Sequence, residues 1–322
     1  MITWEPSCSL DLLQLRATVL HKIRGYFYEQ QVLEVETPIL CQSIGTDPYI
    51  DFFSTQSSNS KSLYLQTSPE FSMKRLLSAH ACSMYQITKA FRQGESGRYH
   101  NPEFTLLEWY RVGFDLTQLM DDVANFLTLF LKESDFSAAD ERLSYIQVFK
   151  RYTGLDALVF SLPEYQKVAD AHHLPDAFAV CGNSHTAWLD FLFSACVQPH
   201  LGNKGLCMIY HYPAILPSLA RKLEHNPLLV ERVELFVAGV ELGNGYFELS
   251  DVQEQDVRFT QDIALREKNN TVKVAKDERF LAALQHGLPD CSGIAIGLDR
   301  LLMLIAHKES IDEVLAFPVN RA

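Results

Sequence analysis

Residues 90–104 read Ala-Phe-Arg-Gln-Gly-Glu-Ser-Gly-Arg-Tyr-His-Asn-Pro-Glu-Phe. In this stretch an arginine and a carboxylate, Arg92 and Glu95, precede a turn rich in glycine and polar residues, and Phe104 then begins an apolar run. This order predicts a strand–loop–strand hairpin whose loop presents a cation to a phosphate and whose returning strand offers an aromatic ring to a purine. Alone, Arg92 and Glu95 would more often be a surface ion pair worth about 0–1 kcal/mol.

The composition is that of a globular protein with a sizeable core, since 47% of the 322 residues are hydrophobic. No apolar run approaches the ~18 residues that span a bilayer, and the first residues do not resemble a signal peptide. The seven cysteines are scattered and form no Cys-x-x-Cys pair. These features argue against a membrane segment, a disulfide framework and a zinc site, and they predict a cytoplasmic location.

The net charge is −12, from 28 basic and 40 acidic residues. Most non-specific affinity for nucleic acids comes from lysine and arginine side chains that neutralise phosphates. An acidic chain without a basic cluster lacks that property, so we expect tRNA to be an improbable partner.

The periodicity of apolar residues predicts an alternation of helices and strands with no internal repeat. Helices are expected at 10–31, from 67–70 onward, and at 116–132, 252–267 and 299–307, and strands at 32–36, 84–91, 104–112 and 293–298. Residues 133–141 and 268–277 are expected to be polar or charged connections, and residues 143–231 to be mixed but mostly helical. The simplest interpretation is a single domain over residues 1–322.

A second group of candidate residues is the segment Gly239–Glu248, which contains two glutamates and Gly243-Asn244-Gly245. We expect a strand pair over residues 236–249 that turns at these glycines. Glu241 and Glu248 are seven residues apart, so a regular strand would place them on opposite faces, whereas a turn can bring them to one site. Two carboxylates beside a triphosphate suit Mg²⁺. The alternative is an ordinary hairpin with two solvated acids.

A third group is Gly-Ile-Ala-Ile-Gly-Leu-Asp-Arg at residues 293–300. The small residues 293, 295 and 297 share one face of the predicted strand and leave room for a flat ligand against the backbone. Arg300 then lies at the start of a helix, where anions are favoured. The alternative is close helix-on-sheet packing with a surface arginine.

Together these segments resemble the signature motifs of class II aminoacyl-tRNA synthetases of the lysine type. Residues 30–38 resemble motif 1, residues 90–111 motif 2 and residues 293–303 motif 3, while 67–70 and 241–248 resemble the lysine-pocket and metal segments. The resemblance covers nearly the whole chain. It implies an α+β fold, with a class II catalytic core whose antiparallel β-sheet is flanked by helices, and a homodimer formed through motif 1.

Bacterial lysyl-tRNA synthetases also carry an N-terminal OB-fold that reads the anticodon, and motif 1 lies so early here that we expect no OB-fold anticodon domain. A stand-alone lysine-type core with residues 97–104 and 107–111 resembles the branch of the family that modifies elongation factor P. This resemblance implies activation of lysine or (R)-β-lysine with ATP and Mg²⁺, followed by transfer to a lysine side chain of elongation factor P. The alternatives are a minimal synthetase that charges tRNA and a non-catalytic paralogue that acts as a binding subunit.

The resemblance also assigns roles to individual residues, with Arg92 and Arg300 as the catalytic cations. ATP binding falls to Arg92, Gln93, Gly94, Glu95, Asn101, Phe104, Glu241, Leu242, Gly297 and Arg300. Substrate binding falls to Ser68, Pro69, Glu70, Tyr110, Asn244 and Glu248, and Mg²⁺ binding to Glu241 and Glu248. The family's Phe-Arg-x-Glu pattern has Gly94 in place of the glutamate here, so Glu95 is expected to replace it.

Overall fold

The computed structural model describes residues 4–131, 137–216 and 219–322. Within these ranges the α-helices are α1 (Leu10–Glu29), α2 (Glu70–His80), α3 (Leu116–Leu131), α4 (Tyr145–Thr153), α5 (Leu162–Ala171), α6 (Ala177–Cys181), α7 (His185–Leu192), α8 (Val252–Lys268), α9 (Glu278–Gly287) and α10 (Leu298–Ile305). A π-helical turn covers Phe193–Val197, and 3₁₀ turns cover Gln198–His200 and Ile311–Glu313.

The strands of the same ranges are β1 (Leu33–Glu34), β2 (Leu40–Cys41), β3 (Ser54–Gln56), β4 (Ser62–Leu65), β5 (Met84–Phe91), β6 (Glu103–Val112), β7 (Ser137–Ser144), β8 (Gly205–Pro213), β9 (Lys222–Leu223), β10 (Asn226–Val237), β11 (Val240–Phe247) and β12 (Cys291–Gly297). This content confirms the expected α+β class. None of the described helices has the length and apolar character needed to cross a membrane.

The chain divides into two compact units. Unit 1 comprises Met1–Asp115 and Leu249–Ala322, and unit 2 comprises Leu116–Glu248. The expectation of a single domain over residues 1–322 stays a prediction.

Unit 1 contains strands in the order β1–β5–β6–β12, of which β1 and β5 are parallel and the other pairs antiparallel. Helix α1 begins at the cap Ser9, whose hydroxyl accepts the N–H of Leu12, and its buried residues recur every four positions. One of them, Phe27, stacks on Tyr85 at 4.3 Å between ring centroids and lies 5.5 Å from Trp109. Helix α1 therefore covers one face of these strands.

The opposite face of β6 carries Glu108 and Tyr110, because alternate residues of a strand point to opposite sides. Helices α2 and α9 pack together through Phe71 and Phe280, whose rings stack at 4.5 Å. A small antiparallel sheet, in the order β2–β4–β3, completes unit 1.

Unit 2 contains strands in the order β11–β10–β8–β7, with β9 beside β10. Its core includes a stack of aromatic rings in which Tyr145 lies 5.0 Å from Phe193 and 4.8 Å from Tyr212. Aromatic burial of this kind contributes more per side chain than aliphatic burial, so helix α4 is firmly attached to β8.

Two expectations for unit 2 were wrong in part. Most of residues 145–200 is helical, as expected, but residues 205–213 and 226–237 form β8 and β10. A buried strand is a continuous apolar run that periodicity cannot distinguish from a buried helix. The stretch 133–141, expected to be a polar connection, contributes to β7, and its residues 133–136 lie outside the described ranges.

The expected turn at Gly243-Asn244-Gly245 was also wrong. These residues lie inside β11, where Gly243 and Gly245 pair with Leu235 and Val233 of β10. The turn consists of Ala238 and Gly239, which both have positive φ (51° and 73°). A two-residue hairpin turn requires this conformation at both positions, and the glycines within β11 do not supply it.

Candidate active site

Unit 1 contains a buried carboxylate, that of Glu108, whose residue is 2% exposed. Tyr110 donates its hydroxyl hydrogen to one carboxylate oxygen at 2.6 Å, and Ser68 donates to the other at 2.9 Å. The backbone N–H of Glu70 donates to the Ser68 oxygen at 3.1 Å, which fixes that hydroxyl as a donor toward Glu108. Three predicted substrate residues thus meet at a carboxylate that the prediction did not include.

A second carboxylate lies in the same cluster. Glu70, in the first turn of α2, forms an ion pair of 2.5 Å with Lys74, one turn later and only 1% exposed. The Lys74 ammonium also lies 5.9 Å from the centre of the Phe280 ring. When both carboxylates are ionised, the cluster of Glu70, Lys74 and Glu108 carries one net negative charge. Such a cluster suits a ligand ammonium group.

Burial, reinforced by the nearby charge of Glu70, raises the pKa of Glu108 to about 7, while the hydrogen bonds from Tyr110 and Ser68 and the charge of Lys74 oppose that rise. An added ammonium group would favour the ionised form, since an adjacent cation lowers a carboxyl pKa. A cationic ligand would therefore shift Glu108 toward its ionised form.

The register between β6 and β12 explains the small residues of the third motif. Ala295 pairs directly with Glu108 and Gly293 with Tyr110, so their side-chain positions lie on the same face as the cluster. Ala295 and Gly297 are also only partly buried. The predicted face of small residues therefore adjoins the buried carboxylate and leaves space beside it.

Arg92, the predicted phosphate-binding arginine, directly follows β5. Its guanidinium is 3.5 Å from the Glu95 carboxylate and 5.1 Å from the centre of the Phe104 ring, so the hairpin brings these three predicted residues together. Among the residues that the structure describes, Arg92 Nε is buried and has no hydrogen-bond partner. A buried donor without an acceptor is costly, and an anionic ligand would satisfy it. Gly94 has φ +81°, a conformation that glycine adopts without strain.

Asn101 occupies a different environment from the one predicted for a residue near adenine. Its Nδ2 donates to the carbonyl of Glu103 at 2.6 Å, and its Oδ1 accepts the N–H of Val319 at 3.1 Å. Both ends of the amide thus bind backbone, which shapes the hairpin. The N–H of Gln93 donates to the carbonyl of Asp51 at 3.0 Å. The predicted ATP contacts of Asn101 and Gln93 stay predictions.

The second predicted cation, Arg300, lies in the first turn of α10, which Gly297 caps. Arg300 donates to the carbonyl of Tyr99 at 3.2 Å and lies 2.7 Å from Nε2 of His100. An arginine cannot accept a hydrogen bond, so this nitrogen of His100 must be the acceptor and the ring is neutral. Burial, with the charge of Arg300, lowers the pKa of His100 and favours the same state.

In unit 2, Asn244 belongs to a partly buried polar network on β10 and β11. Arg232 Nε donates to Asn244 Oδ1 at 3.2 Å, and Asn244 Nδ2 donates to the hydroxyl of Tyr246 at 3.0 Å. Arg232 also pairs with Glu234, which accepts the hydroxyl hydrogen of Tyr212 at 2.6 Å. Burial raises the pKa of Glu234 although Arg232 opposes this. The network fixes the orientation of the Asn244 amide.

The predicted metal ligands of unit 2 share a face for a reason that the sequence did not reveal. Leu235 pairs with Gly243 and Phe236 with Glu241, so Leu242 is an extra residue that forms a β-bulge. A bulge shifts the alternation by one position and brings residues seven apart to the same face. Continued one residue beyond the end of β11 at Phe247, this alternation puts Glu248, which is 1% exposed, on the same side as Glu241.

No group of three or more His, Cys, Asp or Glu residues in the described ranges could hold a metal by itself. Glu241 and Glu248 fit Mg²⁺ bound to a polyphosphate, because this ion takes one or two carboxylates and completes its octahedron with phosphate and water oxygens.

The sequence interpretation missed Glu108 and Lys74. The signal for Glu108 was its position two residues before Tyr110 on a strand, which places both side chains on one face. The signal for Lys74 was its spacing of four from Glu70 on a helix. Pro69 is the N-cap residue of α2, which begins at Glu70, within the segment 67–70 where a helix was expected to start.

Over residues 5–321 the sequence matches the family described as tRNA synthetases class II (D, K and N). The chain belongs to the class II tRNA synthetase family. The predicted family is thereby confirmed over almost the entire chain.

Individual members of the class II synthetase family are similar along their whole length. A protein named elongation factor P--(R)-beta-lysine ligase from Proteus mirabilis (strain HI4320) is 44% identical over 324 residues, which cover 99% of this chain and 98% of the relative. The protein of the same name from Pseudoalteromonas translucida (strain TAC 125) is 42% identical over the same length and the same shares. Another, from Yersinia enterocolitica serotype O:8 / biotype 1B (strain NCTC 13174 / 8081), is 41% identical over 325 residues.

Proposed function

We propose that this protein is a cytoplasmic ligase that activates (R)-β-lysine with ATP as its adenylate and transfers it to a lysine side chain of elongation factor P. The names of the full-length relatives support this activity. The observation that carries the proposal in the molecule itself is the buried carboxylate of Glu108, held by Ser68 and Tyr110 beside Glu70. A substrate with a second amine is the natural ligand of such a cluster.

The first step is attack of the substrate carboxylate on the α-phosphorus of ATP, with pyrophosphate as the leaving group. The carboxylate is already ionised at neutral pH, so positioning and charge neutralisation are the main requirements. Arg92 would hold the α-phosphate and the substrate carboxylate, because its planar fork can bind both, and its buried Nε supports an anionic ligand. Arg300 would bind the departing phosphates.

Glu241 and Glu248 would hold Mg²⁺, which neutralises phosphate charge and orients the triphosphate when bound. Phe104 and Arg300 would enclose the adenine, and Asn244 would contact the substrate carboxylate. In the second step the amine nitrogen of the acceptor lysine forms an amide bond with the activated carbonyl carbon, the carbon–oxygen bond to AMP breaks, and the nitrogen releases a proton.

The alternatives have less support. The acidic net charge of −12 disfavours a minimal synthetase that charges tRNA. A non-catalytic binding subunit would be expected to lack some of the functional residues, whereas Arg92, Glu241, Glu248 and Arg300 are all present.

We also propose a homodimer formed through α1 and the motif 1 segment that follows it. Large apolar side chains are exposed there, including Tyr28 at 85% and Leu33 at 54%. Exposed apolar groups concentrated in one segment are typical of protein–protein contacts.

ATP–pyrophosphate exchange with (R)-β-lysine and α-lysine in parallel tests the activation step. Addition of elongation factor P or lysine tRNA then identifies the acceptor by mass gain or by charging. We expect exchange with (R)-β-lysine and a mass gain on elongation factor P. Charging of tRNA instead would establish the minimal synthetase, and absence of exchange with either isomer would leave the binding subunit.

A further inference from the structure

Arg266 of α8 is completely buried and does not belong to any group of residues assigned above. It donates to the carbonyl of Val272 at 2.9 Å, to that of Ile50 at 3.2 Å, and to that of Asp47. Its guanidinium also lies 3.6 Å from the Asp51 carboxylate. Burial of a charge costs free energy unless the charge is well paired. The several acceptors around the Arg266 guanidinium therefore indicate that this residue has a specific structural role.

Apart from the carbonyl of Val272, these acceptors lie in the segment 47–52, which we call the support loop. Arg266 binds two of its carbonyls and one of its carboxylates, and its guanidinium lies 5.3 Å from the centre of the Phe52 ring. One turn earlier on the same helix, Asp262 accepts the hydroxyl hydrogen of Thr46 at 2.8 Å. Helix α8 therefore holds the support loop at its start and along its length.

The support loop in turn contacts the turn between β5 and β6, residues 92–102. The carbonyl of Asp51 accepts the N–H of Gln93 at 3.0 Å, and Gln93 directly follows Arg92. On its other side, Arg92 donates its own N–H to the carbonyl of Pro102 at 2.9 Å. The backbone that carries Arg92 is thus fixed at two consecutive residues, and one of these bonds depends on the loop that Arg266 holds.

We infer that Arg266 is a positioning residue for ATP: through the support loop and the Gln93 N–H it sets the place of the Arg92 guanidinium. The inference rests on the proposed function, since it takes Arg92 as the ligand of the ATP phosphate. Lysine could not replace Arg266, because a single ammonium group cannot reach the separate acceptors that the planar fork of arginine binds.

The test compares Arg266→Lys with Arg258→Lys as a matched control. Arg258 lies on the same helix and pairs with Glu254 at 2.7 Å, one turn earlier. In ATP–pyrophosphate exchange we expect Arg266→Lys to raise the KM for ATP about 10- to 100-fold, because small misplacements of a positioned group have effects of this size. We expect the KM for (R)-β-lysine to be unchanged. In hydrogen exchange of the ligand-free protein, the Gln93 amide should lose protection.

Hydrogen exchange at the Gln93 amide requires no enzymatic activity. It therefore separates the positioning role of Arg266 from the proposed ligase function. If the wild-type protein catalyses no exchange, the proposed function fails. If the wild type is active but Arg266→Lys retains both its KM for ATP and the protection of Gln93, the positioning role is refuted. A uniform loss of activity with both KM values unchanged would equally refute it, since that pattern indicates a merely structural role.

A second variant covers the case in which Arg266→Lys does not fold. Asp51→Asn removes only the ion pair, and the Asp51 side chain is 59% exposed, so folding should tolerate the change. We expect a smaller effect in the same direction on the KM for ATP. An unchanged KM for ATP in this variant, together with unchanged protection of Gln93, would overturn the inference.

Discussion

At the scale of single residues, we expect substitution of Glu108 to weaken substrate binding strongly. Its two oxygens accept hydrogen bonds from Tyr110 and Ser68, and its burial leaves no water to replace a missing partner. Replacing one member of a buried charged pair typically costs 2–5 kcal/mol of binding energy.

We therefore expect Glu108→Gln to raise the KM for the lysine-type amino acid about 30-fold or more, equivalent to about 2 kcal/mol, with the KM for ATP unchanged. The measurement is pyrophosphate exchange at varied amino acid concentration. Glu103→Gln is the matched control, because Glu103 lies on the same strand but is exposed and pairs at the surface with Lys89, at 3.3 Å. Equal effects of the two substitutions would contradict the role of Glu108.

The raised pKa of Glu108 predicts a pH dependence with a definite sign. The folded protein holds this proton more tightly than the unfolded chain, so the stability that protonation contributes is lost as pH rises from about 4.5 through about 7. The unfolding free energy of the ligand-free wild type should thus fall relative to Glu108→Gln between about pH 5 and about pH 8. Parallel denaturation curves of the two proteins at every pH would disprove this. The KM for the amino acid should fall over the same rise in pH, since the ammonium group needs the ionised carboxylate.

Family resemblance predicted Ser68 and Tyr110 as site residues. It did not predict their hydrogen bonds to Glu108 or the raised pKa of that carboxyl group. Ser68 and Glu108 are 40 residues apart in sequence, so their hydrogen bond depends on tertiary structure that a linear pattern does not contain. The ion pair of Lys74 with Glu70 could have been predicted from helical spacing alone.

At the scale of secondary-structure elements, the pairing of β6 with β12 sets the space beside the amine cluster. Ala295→Val adds two methyl groups opposite Glu108. We expect the KM for the amino acid to rise at least about tenfold, since overfilling a fitted site costs about 1–3 kcal/mol, while the KM for ATP stays constant. Ile296→Val, on the other face of the same strand and fully buried, should instead cost about 1 kcal/mol of stability. An amino acid KM that responds to Ile296→Val but not to Ala295→Val would exclude this arrangement.

The bulge of β11 makes a prediction about the metal. Because it places Glu241 and Glu248 on one face, Glu241→Gln should raise the Mg²⁺ concentration for half-maximal exchange about tenfold or more, as expected for the loss of one of two protein carboxylates. Glu231→Gln is the control, because Glu231 lies on the neighbouring strand and pairs with His211 at 3.2 Å. A Mg²⁺ requirement that is the same in wild type and Glu241→Gln would remove this residue from the metal site.

The elements themselves were predictable to different degrees. β5, β6, α1, α3, α8 and the β12–α10 junction were predicted to within a few residues because their apolar periodicity is clear. Helix α9 was missed after the charged stretch 268–277, and β11 was divided at its glycines. In β11 the partner strand decides the structure, and tertiary pairing overrides the local turn preference of Gly-Asn-Gly.

At the scale of the whole molecule, the assembly is the first property to measure. The homodimer predicts a solution mass of twice the 36.6 kDa chain in light scattering. Lysines at both Tyr28 and Leu33 should shift that mass to a monomer, because two buried unpaired charges oppose an apolar contact. Val257→Lys is the control, since Val257 is also exposed, at 53%, but lies on α8. A wild-type monomer, or a dimer that tolerates the double substitution, would overturn this assignment.

The division of the chain has a consequence for how the protein is made. Val112 at the end of β6 pairs with Cys291, and the two are 291 − 112 = 179 residues apart in sequence. At the usual 5–20 residues per second, the ribosome needs about 10–40 s to deliver the missing strand. Leu116–Glu248 is contiguous and can fold as it emerges. Until β12 has been synthesised, β6 presents an unpaired edge, and an unpaired strand edge is a template for incorrect pairing with another chain.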